Sequence, residues 1–342
     1  MRAIAVTSVM VYHFIPGVDR FAPLGSIGVR LFFVLSGFLI TRILLASRNQ
    51  DTGSAWRTFY IRRSLRIFPL FYLVLALAWA MNISPVRSTI GWHVPYLTNA
   101  YLFERGSWHG SISHLWSLAV EEQFYLVWPW LMLLVPEHRI PRLIMAMMCV
   151  APISRLMIGG PMNAVLPTSC LDALGAGALL AFPKARTVMS RIGALAGFPL
   201  LIGGCGLRYR GFNPVPIEVA LDLGVSLTSA WIVGRVSTSG RGARFLQWKP
   251  LVCLGTISYG VYLFHGFVSY VTGRYVVGLF DRPWPTRFVL LSSVTIALAS
   301  ISWFLLEAPM LAFKERFAPR DVWSGRRAFA PSGHQAVRLK VN

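Results

Sequence analysis

Apolar residues in this chain do not recur as one stripe of a helix or on alternate positions of a strand. They form runs that are apolar on all sides and are separated by short polar stretches rich in arginine. A helix apolar all round belongs in a protein core or in lipid, and a run of about 20 residues spans a hydrocarbon layer about 30 Å thick. The runs predict membrane-spanning helices at 3–16, 27–45, 67–83, 117–135, 143–158, 169–183, 192–207, 217–236, 251–271 and 287–308. The expected fold class is therefore all-α, a polytopic membrane bundle of about ten transmembrane helices. Residues 1–317 form one membrane domain in this reading. Residues 318–342, with Pro, Gly, Ser and Arg and little periodicity, form a flexible basic cytoplasmic tail.

Composition strengthens this picture. A 342-residue chain that is 55% hydrophobic and 13% charged, with a mean hydropathy of +0.57, has too little polar surface for a water-soluble domain. The net charge of +20 is spread over the loops between apolar runs and not gathered in one patch, so nucleic acid is not an expected partner. Arg42, Arg48, Arg57, Arg62, Arg63 and Arg66 follow the second run, Arg139 and Arg142 the fourth, and Lys184, Arg186 and Arg191 the sixth. Arg235, Arg241, Arg244 and Lys249 follow the eighth. Cations collect on the cytoplasmic side of a membrane, which predicts that both termini are cytoplasmic. The segment 85–115, interrupted by Pro85, Gly91, Pro95, Gly106 and Gly110 and holding three histidines, reads as an outer or re-entrant stretch. The first run is short for a crossing and suggests a natural start upstream of Met1. Cys149, Cys170, Cys205 and Cys253 lie singly in apolar segments without metal-ligand spacing, so no metal is expected.

Ionisable residues inside or beside apolar runs are the candidates for chemistry, because burying them in lipid is expensive. His13 lies eleven residues beyond Arg2 on the first predicted helix, about 16 Å deeper, and an imidazole there can exchange a proton near neutral pH. Arg63 and Arg66 share one helix face at the cytoplasmic edge. Two guanidinium forks there suit a pyrophosphate or a sugar phosphate, and equally a lipid headgroup. Glu121 and Glu122 point about 100° apart, so only one is expected to face a given cavity. Glu121, four residues from Ser117 and from Tyr125, has the more polar stripe. Arg30 stands near the outer edge of the second run and the Ser36-Gly37 pair in its middle suits close helix packing. His114, His265 and Glu307 complete the set.

Taken in order, Arg2 and His13 with ten residues between them, LFFVLSGFLIT, RRSLRIFP, HLWSLAVEEQFYL, ISYGVYLFH and LLEAP resemble the acyltransferase-3 family of bacterial membrane O-acyltransferases nearly end to end. The resemblance implies an enzyme of about ten helices in the bacterial inner (plasma) membrane. It would move an acyl group, acetyl above all, from acyl-CoA to a hydroxyl of a carbohydrate or glycosylated acceptor. It implies catalysis by His13, donor binding by Arg63 and Arg66 and a requirement for Glu307, with Arg2 matching the family's first-span arginine; Glu121 and Glu122 join the catalytic candidates, Arg2 those for the donor, and His114 and His265 those for acceptor contacts. No tightly bound cofactor is expected; acyl-CoA is a substrate. The competing expectation is a proton-coupled transporter or flippase of a lipid-linked or acylated substrate, which intramembrane His and Glu also suit and which paired broken helices would favour.

Overall fold

The computed structural model describes residues 1–160, 162–212, 215–238 and 244–317. The tail expected at 318–342 lies outside the described residues, as does Arg241. Every regular element among the described residues is helical. Among the described residues six helices are long and apolar enough to cross a membrane: α2 (Leu24–Ser47), α3 (Thr52–Ala80), α7 with its leading turn (Glu137–Ile158), α9 (Pro183–Tyr209), α10 (Val215–Thr238) and α13 (Trp284–Phe313). A seventh is reached if α11 (Lys249–Thr256) and α12 (Ser258–Tyr275), bent by 68° at Ile257, count as one broken span. The membrane bundle is as expected, whereas the count of ten is not confirmed.

The shortfall has local causes. The helix α1 (Arg2–Phe14) has 13 residues and α8 (Leu171–Leu179) has nine, both too short to cross alone. The 19-residue α6 (Trp116–Leu134) is long enough, but Glu121, Glu122 and Gln123 interrupt its apolar run. The segment expected to stay outside holds no helix long enough to cross by itself. It folds into α4 (Val86–His93) and α5 (Thr98–Arg105), and its histidines have separate tasks. His93 is buried between the hydroxyls of Thr89 and Thr98, at 3.0 and 2.9 Å, and pins α4 to α5. Burial pushes its pKa down to about 4, so the ring stays neutral. His109 bonds Ser107 at the surface, and His114 turns inward at the entry to α6.

Two contacts hold α2 at the centre. The Ser8 hydroxyl donates to the Leu24 carbonyl at 2.7 Å and sets α1 beside the start of α2. On another face α2 crosses α8 with backbones touching: a Cβ on Gly37 would lie 2.0 Å from the Leu174 carbonyl oxygen, and one on Gly177 would lie 2.0 Å from that of Val34. Only glycine fits at either position, which is how small residues let helices meet in lipid. Asp51 starts α3 by accepting the Ser54 amide at 2.8 Å. Arg63 and Arg66 then lie eleven and fourteen residues into the helix, well inside it and not at its end.

A buried ion network completes the frame. Arg30 on α2 reaches Asp172 on α8 at 3.0 Å and Asp222 on α10 at 2.6 Å. Arg155 on α7 reaches the same carboxylates at 2.6 and 3.1 Å. Ser226 bonds Arg30 and Ser26 bonds Asp222, so this neutral quartet ties four helices together. Arg30, named from the sequence only by its depth, is therefore one member of a set whose other three the sequence reading overlooked. Two arginines and two aspartates within apolar runs, each needing a partner, were the available signal.

Candidate functional site

The helices α2, α3, α6 and α12 and the start of α1 line a cavity that is partly open to its surroundings. Arg2, Arg63, Arg66 and Glu121 line it, with the hydroxyls of Ser36, Ser117, Ser258, Tyr125, Tyr259 and Tyr262 and an apolar wall of Val29, Phe32, Phe33, Ile67 and Leu118. Along α2 it runs from Ser36 to Val29, seven residues or about 10 Å.

The three arginines are positioned without carboxylate partners. Arg63 lies over the Tyr125 ring, 4.8 Å from its centroid, and near Phe59 at 6.0 Å. Among the described residues neither Arg2, Arg63 nor Arg66 forms a salt bridge. Glu121, the carboxylate on the lining, accepts a hydrogen bond from Ser36 at 2.5 Å. Three guanidinium groups thus face one carboxylate that already holds a hydroxyl, an arrangement suited to an anion with several oxygens. Of the two adjacent glutamates Glu121 is the one on the lining, and Glu122 is not. The Ser36-Gly37 pair serves both readings, since Gly37 packs on α8 while Ser36 orients Glu121.

The histidines lie apart from the arginines. His13 is in the last turn of α1, exposed on the surface of the chain, and does not line the cavity. Its Nδ1 donates to the Val9 carbonyl at 2.9 Å. That bond leaves Nε2 of the neutral ring bare, the form a general base needs. The His13 ring contacts His265 at 4.8 Å between centroids, and His265 contacts His114 at 4.4 Å. His265 repeats the arrangement, its Nδ1 donating to the Tyr262 carbonyl at 2.5 Å. The Nε2 atoms of His265 and His114 are buried without a hydrogen-bond partner among the described residues. The rings form a row, but no group of His, Cys, Asp or Glu among the described residues is placed to hold a metal ion. Gly266 makes the row fit: a Cβ there would lie 2.6 Å from the His114 ring and 2.5 Å from the Ser111 carbonyl oxygen.

Glu307 sits in a π turn, Trp303–Glu307, that packs on α3, where Ser302 donates to it at 3.1 Å; it is off the cavity lining. The residues missed by sequence reasoning are the hydroxyls of α12. Tyr259 donates to the Ile67 carbonyl of α3 at 2.8 Å, and Tyr262 to the His114 carbonyl at 2.9 Å. Their signal was present in ISYGVYLFH, where Tyr259, Tyr262 and His265 recur every three residues and so share a helix face.

Curated relatives align along most of the chain. A Bacillus subtilis (strain 168) protein, YrhL, named provisionally as a peptidoglycan O-acetyltransferase, is 30% identical over 91% of this chain and 54% of its own length. The peptidoglycan O-acetyltransferase OatA of Listeria monocytogenes is 27% identical over 91% of this chain and 54% of its own. The O-acetyltransferase OatA of Staphylococcus aureus is 28% identical over 91% and 56%. The chain therefore spans about half the length of the curated relatives it matches. No solved structure matches. The model of the family Acyl_transf_3, described as an acyltransferase domain, matches residues 1–304, a match that includes the cavity arginines, the paired glutamates and all three histidines of the row: the chain belongs to the acyltransferase-3 family.

Proposed function

We propose that this chain is a membrane O-acyltransferase that moves an acyl group, acetyl in the simplest case, from acyl-CoA to a hydroxyl of a carbohydrate or glycosylated acceptor. The observation that carries the reading is the trio Arg2, Arg63 and Arg66, which lines one cavity without salt-bridge partners and leads toward the histidine row. The phosphates of the donor dock on the arginines, and the cavity between Ser36 and Val29 receives the pantetheine arm. His13 Nε2 removes the proton of the acceptor hydroxyl as its oxygen attacks the thioester carbonyl. The C–S bond then breaks and the thiolate takes that proton. His114 and His265, whose Nε2 atoms lack partners, accept hydrogen bonds from neighbouring hydroxyls of the acceptor. Glu121 holds the cavity's Ser36 hydroxyl, while Glu122 and Glu307 lie outside the lining and act at most through neighbours. The names of the relatives support a glycan acceptor, and peptidoglycan is the first to try. On the cation asymmetry of the loops, the chain lies in the bacterial plasma membrane with both termini in the cytoplasm, where the donor is made.

The transporter reading draws on the broken α11–α12 pair. A transporter of that kind is built from two such breaks in corresponding halves, and the described residues hold one bent pair. The deciding assay incubates the purified protein with radiolabelled acetyl-CoA and a glycan acceptor. His13→Ala is expected to bind donor normally and to lose about 10²–10⁴-fold in turnover. The Arg63→Ala/Arg66→Ala variant is expected to lose donor binding. A wild-type protein that binds no acyl-CoA would transfer the lead to transport.

A further inference from the structure

The cavity and the histidine row meet at the side chain of Tyr262. Tyr262 lines the cavity, while His13, His114 and His265 do not. On its other side the Tyr262 ring meets His265 at 5.4 Å and His114 at 5.6 Å, and at its edge it meets Phe32 at 5.9 Å. Its hydroxyl is held twice, donating to the His114 carbonyl at 2.9 Å and meeting the Ser117 hydroxyl at 2.5 Å. A buried phenol with both bonds satisfied and a ring in contact with three others is locked in place. The position of the ring matters, because it stands between the cavity lining and His265, whose ring in turn meets that of the exposed His13.

We propose that Tyr262 is the partition between the donor and acceptor halves of the site, and that its ring determines whether the thioester is transferred or hydrolysed. This rests on the acyl-CoA reading given above. In transfer, an acceptor hydroxyl attacks the thioester carbonyl, the C–S bond breaks, and the hydroxyl proton reaches the thiolate by way of His13. In hydrolysis, water attacks the same carbon, the same bond breaks, and the products are a free carboxylic acid and CoA thiol. The two differ only in which oxygen reaches the carbon, so a ring that fills the space a free water would take, and leaves the carbon open only to a hydroxyl held at its edge, sets the ratio. Tyr262 does so by position and touches the reaction through Ser117 and the histidine row, which makes it a positioning residue.

The test measures acetyl-CoA binding, acceptor-free thioester hydrolysis and transfer on the same purified samples. Tyr262→Ala is expected to raise acceptor-free hydrolysis about fivefold or more and to lower transfer, with the donor KM within about twofold of wild type. Tyr262→Phe keeps the ring and is expected to keep hydrolysis within about twofold of wild type while transfer falls. A gain of hydrolysis cannot come from a misfolded protein. Tyr262→Leu, closer in volume, replaces the alanine variant if that one binds no donor. Hydrolysis at the wild-type level in a truncated variant that still binds acetyl-CoA would overturn the partition.

A second arm needs no donor and separates the two readings. Val29→Cys, on the cavity wall, is made in a chain whose exposed Cys149 and Cys253 are alanine. An impermeant maleimide added to intact cells is expected to spare that cysteine while Tyr262 is present and to label it in Tyr262→Ala. Equal labelling with and without the Tyr262 ring overturns the partition. Failure of wild type to bind acetyl-CoA with labelling still dependent on Tyr262 overturns the donor assignment alone.

Discussion

The molecule treats its buried arginines in two opposite ways. Arg30 and Arg155 each touch both Asp172 and Asp222, and a serine closes the network on either side, so the four charges sum to zero and ask nothing of a ligand. Arg2, Arg63 and Arg66 share a cavity with one carboxylate, and Arg63 rests on aromatic faces. The first group consumes its own charge to fasten four helices. The second keeps charge in reserve, and a protein maintains that at a cost in stability only where something anionic is to be held. Ionisable groups at similar depth thus divide into frame and site by whether their partners are built in.

The comparison breaks most sharply at the frame. Arg155→Ala leaves two buried carboxylates sharing one cation and is expected to cost about 3–5 kcal/mol, read as loss of folded protein in detergent or as a lowered melting temperature. Next comes the site. Arg63→Ala/Arg66→Ala removes two charge-assisted contacts to phosphate and is expected to weaken acetyl-CoA binding about 100-fold or more, with the melting temperature unchanged or raised. Titration calorimetry and thermal melts on one preparation test both halves of that statement. A smaller effect is expected when a frame pair is removed together: Arg155→Met/Asp172→Leu leaves Arg30 with Asp222 and should cost less than half of the single Arg155→Ala change. The least is expected of Glu121→Gln. It keeps an acceptor for Ser36, removes the one negative charge on the lining, and tightens donor binding by on the order of 1 kcal/mol. Weaker binding in that variant would show that Glu121 orients the arginines.

Much of the site was legible in the sequence because membrane burial makes polar residues conspicuous. Arg63, Arg66 and Glu121 were named from spacing and Arg2 from the resemblance, and all four line one cavity. The choice between adjacent glutamates followed from the 100° step of a helix. What did not follow was anything that depends on how far apart helices lie. The row of His13, His265 and His114 joins three segments distant in sequence, and nothing in the periodicity of one of them reports the other two. The same holds for Asp172 and Asp222: each stands out in an apolar run, but which cations it meets is seen only once Arg30 and Arg155 are placed between them. The number of spans failed for another reason. Hydropathy counts apolar runs, and short helices such as α1 and α8, packed against α2, satisfy that count without crossing alone.

The seam where Gly37 and Gly177 press on each other's helices carries a consequence for how this chain tolerates change. Any side chain at either position collides with backbone, so drift there has nowhere to go, and through Arg30 and Ser36 the same helix anchors both the frame and Glu121. The wall beside it is different: Val29 borders the cavity and can be exchanged for a larger or smaller residue without moving α2. A chain built this way can be refitted for a larger or differently shaped ligand by a few substitutions on one face of a single helix, while the other face stays fixed.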